Sequence, residues 1–202
     1  MTRLYAGIAA VALAIIVGGT AVWTTLFAKH DCGGNAIAGG SAAIGGPFEL
    51  LDGTGALVTE GDVITGPTLV YFGYTFCPDV CPFDVARNAI AVDLLDEQGL
   101  DVRPLFISID PERDTPDIVA AYAADMHPTM IGLTGSAEQV KSASQAYKTF
   151  YSKGEGEGDF YLMNHSTFTY LMFPETGLAT YFSRDASPED IAKETACHVK
   201  AL

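Results

Sequence analysis

Thr68-Leu-Val-Tyr-Phe-Gly-Tyr-Thr-Phe-Cys-Pro-Asp-Val-Cys-Pro82 joins an apolar run directly to two cysteines with three residues between them. The run 68–74 is rich in aromatic and β-branched residues and too short for a buried helix, so it reads as a buried strand. Each cysteine precedes a proline, and proline disfavours the helical region for the residue before it. Residues 77–81 therefore form a turn at the end of the strand. Cys81 sits near an N-cap, and Pro82 opens a helix running to about Gln98 and closed by Gly99. Thiols at the positive end of a helix are expected to be stabilised as thiolates, the form that binds metal and attacks disulfides.

Outward from this junction the chain alternates strand and helix. Val102–Ile109 reads as a second strand, Thr115-Pro-Asp starts a helix that ends before His127-Pro128, and a short strand at Met130–Leu133 precedes a helix from Ser136 to Tyr147. Ser152–Asp159 (SKGEGEGD) reads as a polar, glycine-rich loop. Strands at Thr167–Phe173 and Leu178–Phe182 are joined by Pro174-Glu-Thr-Gly, and a closing helix begins at Ser187-Pro-Glu-Asp. Ahead of the first strand, Phe48–Leu51, Asp52-Gly-Thr-Gly and Ala56–Val58 suggest a hairpin. The pattern is an α/β sandwich with an N-terminal hairpin extension.

The front of the chain is different. Leu4–Ala28 contains no charged residue, and such a run spans a bilayer core, which takes about 20 helical residues. Trp23, Lys29 and His30 at its far end read as an interfacial belt, and Arg3 favours an N-terminus on the cytoplasmic side. A cleaved signal peptide fits less well, because Ala36-Ile-Ala38 lies well beyond the apolar run. The expectation is a single transmembrane anchor at 1–28 in the cytoplasmic (inner) membrane and a flexible Gly/Ala-rich tether at 29–46. A domain at 47–202 follows on the exported, periplasmic side. Setting aside residues 1–28, which hold Arg3 and no acid, 10 basic and 25 acidic residues remain, a net charge of −15. So acidic a surface argues against nucleic acid as a partner; for a tethered carrier the expected state is a monomer.

Two thiols alone do not decide the chemistry. Soft sulfur selects Cu(I), zinc or iron–sulfur clusters, and the same pair can exchange disulfides. Zinc ordinarily takes four protein ligands, and the sequence has no second close cysteine pair. Three segments in order, FGYTFCPDVCP (72–82), FISIDPERDTP (106–116) and DFYLMNHSTFTYLMFPETG (159–177), resemble the Sco/SenC copper chaperone family from about Gly46 onward. The resemblance implies a thioredoxin-like fold and a copper ion, Cu(I) or Cu(II), held by Cys77, Cys81 and His165. It also implies a role in loading the binuclear copper centre of cytochrome c oxidase subunit II, with an upstream copper donor protein. One departure is Asn164, where Asp is the familiar residue of the family; it bears on charge beside the site, not on ligation.

Other functions compete. Cys77 and Cys81 can be the catalytic pair of a thiol-disulfide oxidoreductase, including one that reduces the oxidase's copper-site cysteines. Against a general oxidoreductase, the spacing is three and the sole tryptophan is Trp23. A thiol peroxidase is disfavoured by Tyr74, where a peroxiredoxin carries Thr. A copper or redox sensor would use the same ligands without turnover. Asp79 is a turn residue or a tuner of the thiols, and Asp110–Asp114 reads as turn, cap and ion pair. Met126, His127 and Met130 read as helix end and core, and Cys197 as a small buried apolar residue.

Overall fold

The computed structural model describes Cys32, residues 44–158 and residues 160–201. The chain divides into two units, Met1–Gly33 and Gly34–Leu202, and the architecture below is that of the second. The expected anchor, and the tether apart from Cys32 and residues 44–46, lie outside the described residues; among those described, no helix is long and apolar enough to cross a membrane.

An antiparallel hairpin of β1 (Glu49–Leu51) and β2 (Leu57–Thr59) leads the domain, as the turn chemistry predicts. Asp52 Oδ1 accepts the Thr54 and Ala56 amides at 2.8 and 3.0 Å, closing the turn. A one-turn helix α1 (Glu60–Val63) follows. The chain then runs β3 (Thr68–Gly73), α2 (Val80–Asp96), β4 (Arg103–Ser108), α3 (Pro116–Met126), β5 (Ile131–Leu133) and α4 (Ala137–Ala146). β8 (Thr169–Phe173), β9 (Gly177–Phe182) and α5 (Pro188–Lys200) complete the domain. Three helix starts follow their sequence signals. Pro116 opens α3 behind Thr115, Ser136 and Gln139 form a capping box on α4, and Ser187 accepts the Asp190 amide of α5 at 3.1 Å.

These strands form one five-stranded sheet in the order β5-β4-β3-β8-β9. β3, β4 and β5 are parallel, while β8 runs antiparallel to both β3 and β9. Side chains alternate across the sheet: in β8, Tyr170 and Met172 enter one apolar cluster and Leu171 and Phe173 the other. The first cluster holds Val70, Phe72, Phe106, Val119 and Val140; the second joins Leu95 of α2 to Ile191 of α5. β3 is central and buried along its whole length, so its C-terminal end opens where α2 begins. In parallel α/β sheets that edge is where ligands collect.

One expectation fails. Residues 152–157 are not a loop: β6 (Tyr151–Glu157) pairs antiparallel with β7 (Phe160–His165) in a separate two-stranded sheet. Glycines weaken a strand on their own, but here they make pairing feasible. A Cβ at Gly154 would stand 2.9 Å from the Leu162 carbonyl oxygen, and one at Gly156 would strike the Phe160 carbonyl. The register shifts between Lys153 and Gly156, a bulge of the kind glycine permits.

Candidate metal centre

Three side chains from three segments converge at the end of β3. Cys77 lies in the turn after the strand and Cys81 in the first turn of α2. The helix begins at Val80, two residues before the proline expected to open it. Pro82 is still accommodated, because a first-turn amide has no intrahelical partner to lose. The Cys81 amide instead donates to Cys77 Sγ at 3.4 Å, so one thiol sits over the exposed donors of the helix.

His165 is the last residue of β7. Its Nδ1 lies 2.8 Å from the Ser166 carbonyl oxygen, and its Nε2 lies 3.2 Å from Cys81 Sγ. A carbonyl only accepts, so Nδ1 carries the proton and the Nε2 lone pair faces the sulfurs. Fixing the imidazole through its other nitrogen is how metal-ligating histidines are ordinarily oriented. Burial holds its pKa below 6.5, offset in part by the Ser166 carbonyl and Asp84; the ring is therefore neutral and ready to ligate near pH 7. The three donor atoms lie within 4.8 Å of one another. One ion bonded at about 2.0–2.3 Å to each would fit between them with little movement.

The expectation of a helix-stabilised thiolate needs correction at Cys81. Its side chain is fully buried, and burial pushes the thiol above its ordinary range despite a hydrogen bond from the Tyr74 backbone. Loss of water is the dominant cause, so without metal the sulfur keeps its proton and can donate it to His165 Nε2. A soft cation would displace that proton.

The surroundings are aromatic. Tyr71 and Tyr74 meet the imidazole edge-on, with ring centroids 6.2 and 5.9 Å away. Tyr71 Oη donates to Asp84 at 2.9 Å; Asp84 pairs with Arg87 at 3.4 Å, and Arg87 donates to Thr169 Oγ1 and the Ser183 carbonyl, each at 3.2 Å. Burial pushes the Tyr74 hydroxyl up to about 12, so it stays protonated beside the thiols. Sequence reasoning missed both tyrosines. The signal that could have found them was Gly73, a glycine inside an apolar strand, which marks a close approach. Here the neighbours of a Cβ would include Tyr71 Cε1 at 2.9 Å and Cys81 Sγ at 3.2 Å.

Asp110–Asp114 forms the expected turn and ion pair, and also ties the site to β4. Buried Asp114 accepts the Thr75 amide at 3.0 Å and the hydroxyls of Thr75 and Ser108. His127 stays structural, with Nε2 3.2 Å from Asp93 and Nδ1 accepting the Thr129 amide. Cys197 departs from expectation: it is half-buried and, like Cys32, disulfide-bonded. Cys77 and Cys81 are free.

Residues 37–200 match the SCO1/SenC family model. The chain belongs to the SCO1/SenC family. Its family match starts somewhat ahead of the Gly46 inferred from the three motifs. Among curated relatives, Protein SenC of Rhodobacter capsulatus is 52% identical over 162 residues, covering 80% of this chain and 73% of its own. Arabidopsis thaliana ScoI, solved with copper bound, is 42% identical with a TM-score of 0.73, covering 79% of this chain and 98% of that one. Yeast Sco1 with copper bound is 34% identical with a TM-score of 0.73, covering 79% and 90%. The mixed α/β, thioredoxin-like architecture is shared with these family members.

Proposed function

We propose that this chain is a copper chaperone that holds its cargo between Cys77, Cys81 and His165. The observation that carries the reading is the convergence of two sulfurs and one imidazole nitrogen within 4.8 Å, with the nitrogen lone pair already turned inward. Two sulfurs and one imidazole accommodate Cu(I) with few ligands and Cu(II) with the added nitrogen, and two family members were solved with copper bound. The acceptor is the binuclear copper centre of cytochrome c oxidase subunit II, with an upstream protein supplying the ion. Residues 1–28 anchor the chain in the cytoplasmic membrane, 29–46 tether it, and 47–202 form the copper-binding domain on the exported side. The disulfide-bonded state of Cys32 and Cys197 supports an oxidising compartment.

The two free neighbouring thiols favour a second reading, reduction of the acceptor's cysteines. Cys77 is the more exposed of the pair, at 9% against 0%. As a thiolate it would attack the partner disulfide to form a mixed disulfide. Cys81 would then displace the partner, leaving a Cys77–Cys81 disulfide and two partner thiols, a balanced two-electron exchange. The deciding experiment measures copper retained by the reduced full-length protein, loaded without oxygen and desalted, against Cys77→Ser and His165→Ala. One copper per chain, lost or weakened in both variants, is expected. No retained copper in folded, reduced protein would sink the chaperone reading and leave the exchange reaction.

A further inference from the structure

The hairpin that supplies His165 shares no strand pairing with the main sheet, so something else must fix it relative to the cysteines. Tyr151 and Met163 rest against the core, but apolar contact is non-directional and does not set an angle. Direction comes from the turn after β4: on its exposed side Glu112 pairs with Lys153 of β6 at 3.0 Å, and on its buried side stands Arg113. Its Nε donates to Asp110, and its Nη1 donates to the Tyr161 carbonyl of β7 at 2.9 Å. The guanidinium lies 3.6 Å from the centroid of the Tyr161 ring and 4.7 Å from that of Phe76, the residue before Cys77. Tyr161 Oη closes the loop by donating to Asp110 at 2.7 Å. Arg113 and Asp110 side chains are 12% and 3% exposed, so these charge-assisted contacts are largely shielded from water. One planar cation thus touches the turn that carries Cys77 and the hairpin that carries His165.

We propose that Arg113, seated on Asp110 and Tyr161, is the latch that sets the His165 hairpin against the cysteine turn and governs how long the centre keeps its metal. Arg113 is a positioning residue acting through His165, and the proposal rests on Cys77, Cys81 and His165 being the ligands. Lysine could keep the charge but not the flat, two-sided contact.

The test uses full-length Arg113→Gln, alone and combined with His165→Ala. In metal-free protein, amides of 151–157 and 160–165 are expected to exchange on the order of tenfold faster, with β3 and β4 unchanged, from loss of shielded charged hydrogen bonds. Transfer of bound Cu(I) to a chelator is expected to quicken by a similar factor, and this effect should vanish in the His165→Ala background. Unchanged hairpin exchange, or equal acceleration in both backgrounds, overturns the latch. Should Arg113→Gln fail to fold, Tyr161→Phe removes only the hydroxyl's bonds to Asp110 and Glu112. It should loosen the same amides about threefold, and no change there overturns the proposal as well. If the parent protein binds no Cu(I), the ligand assignment falls, while the exchange experiment still decides whether Arg113 holds the hairpin.

Discussion

Replacing Gly73 with alanine tests how tightly the centre is built. Alanine in a strand is ordinarily favoured over glycine by about 0.5–1 kcal/mol, so on propensity alone the variant should be more stable. The surroundings reverse the sign. The added Cβ would stand 2.9 Å from Tyr71 Cε1, 3.0 Å from Phe106 Cε2 and 3.2 Å from Cys81 Sγ, all closer than ordinary contact. Tyr71 is held by its bond to Asp84, and Phe106 packs against Tyr122 with centroids 4.9 Å apart. Overpacking at such a site costs about 1–3 kcal/mol, which lowers the Tm by roughly 2–12 °C for a domain of this size. Because both rings are braced, the sulfur must give way, and Cu(I) affinity should fall on the order of tenfold, about 1.4 kcal/mol. Thermal melting of metal-free protein and competition with a Cu(I) chelator read the two effects separately. A variant that melts at or above the parent temperature and binds Cu(I) as tightly would refute the close-packed account of the site.

Gly156→Ala should disorder the tip of the β6–β7 hairpin, since φ is +150° and the new methyl would strike the Phe160 carbonyl; loss of amide protection in 151–165 by hydrogen exchange, with β3 still protected, checks it. The pH dependence of metal-free stability should carry two signatures. His165 has a lowered pKa, so its contribution is complete above its unfolded value of 6.5 and is lost as pH falls below that toward the folded value. Cys81 has a raised pKa, so the unfolded chain releases its proton first and stability declines as pH climbs past 9.0. Denaturant titrations of the parent, His165→Ala and Cys81→Ala across pH 5–10 separate the two, each signature disappearing with its residue.

The hydrophobic run 68–74 and the two Cys-Pro steps were enough to place a buried strand, a turn and a helix in order, because these are local properties of backbone sterics and side-chain burial. Caps did the same for Pro116, Ser136 and Ser187. The histidine was named through resemblance across three motifs rather than through its own surroundings, since His165 is 84 residues from Cys81. The hairpin beneath it was misread because SKGEGEGD lacks strand propensity, and only pairing with Phe160–His165 makes those glycines useful. The ionisation of Cys81 was also beyond local reading. A helix N-terminus is visible in sequence, but full burial, which raises the thiol's pKa, is not. By itself the sequence marked the two thiols as a candidate site and the strand that delivers them. Tertiary structure alone decided how the imidazole is turned, which tyrosines enclose it and which arginine braces its hairpin, because each depends on contacts between segments that no local propensity encodes.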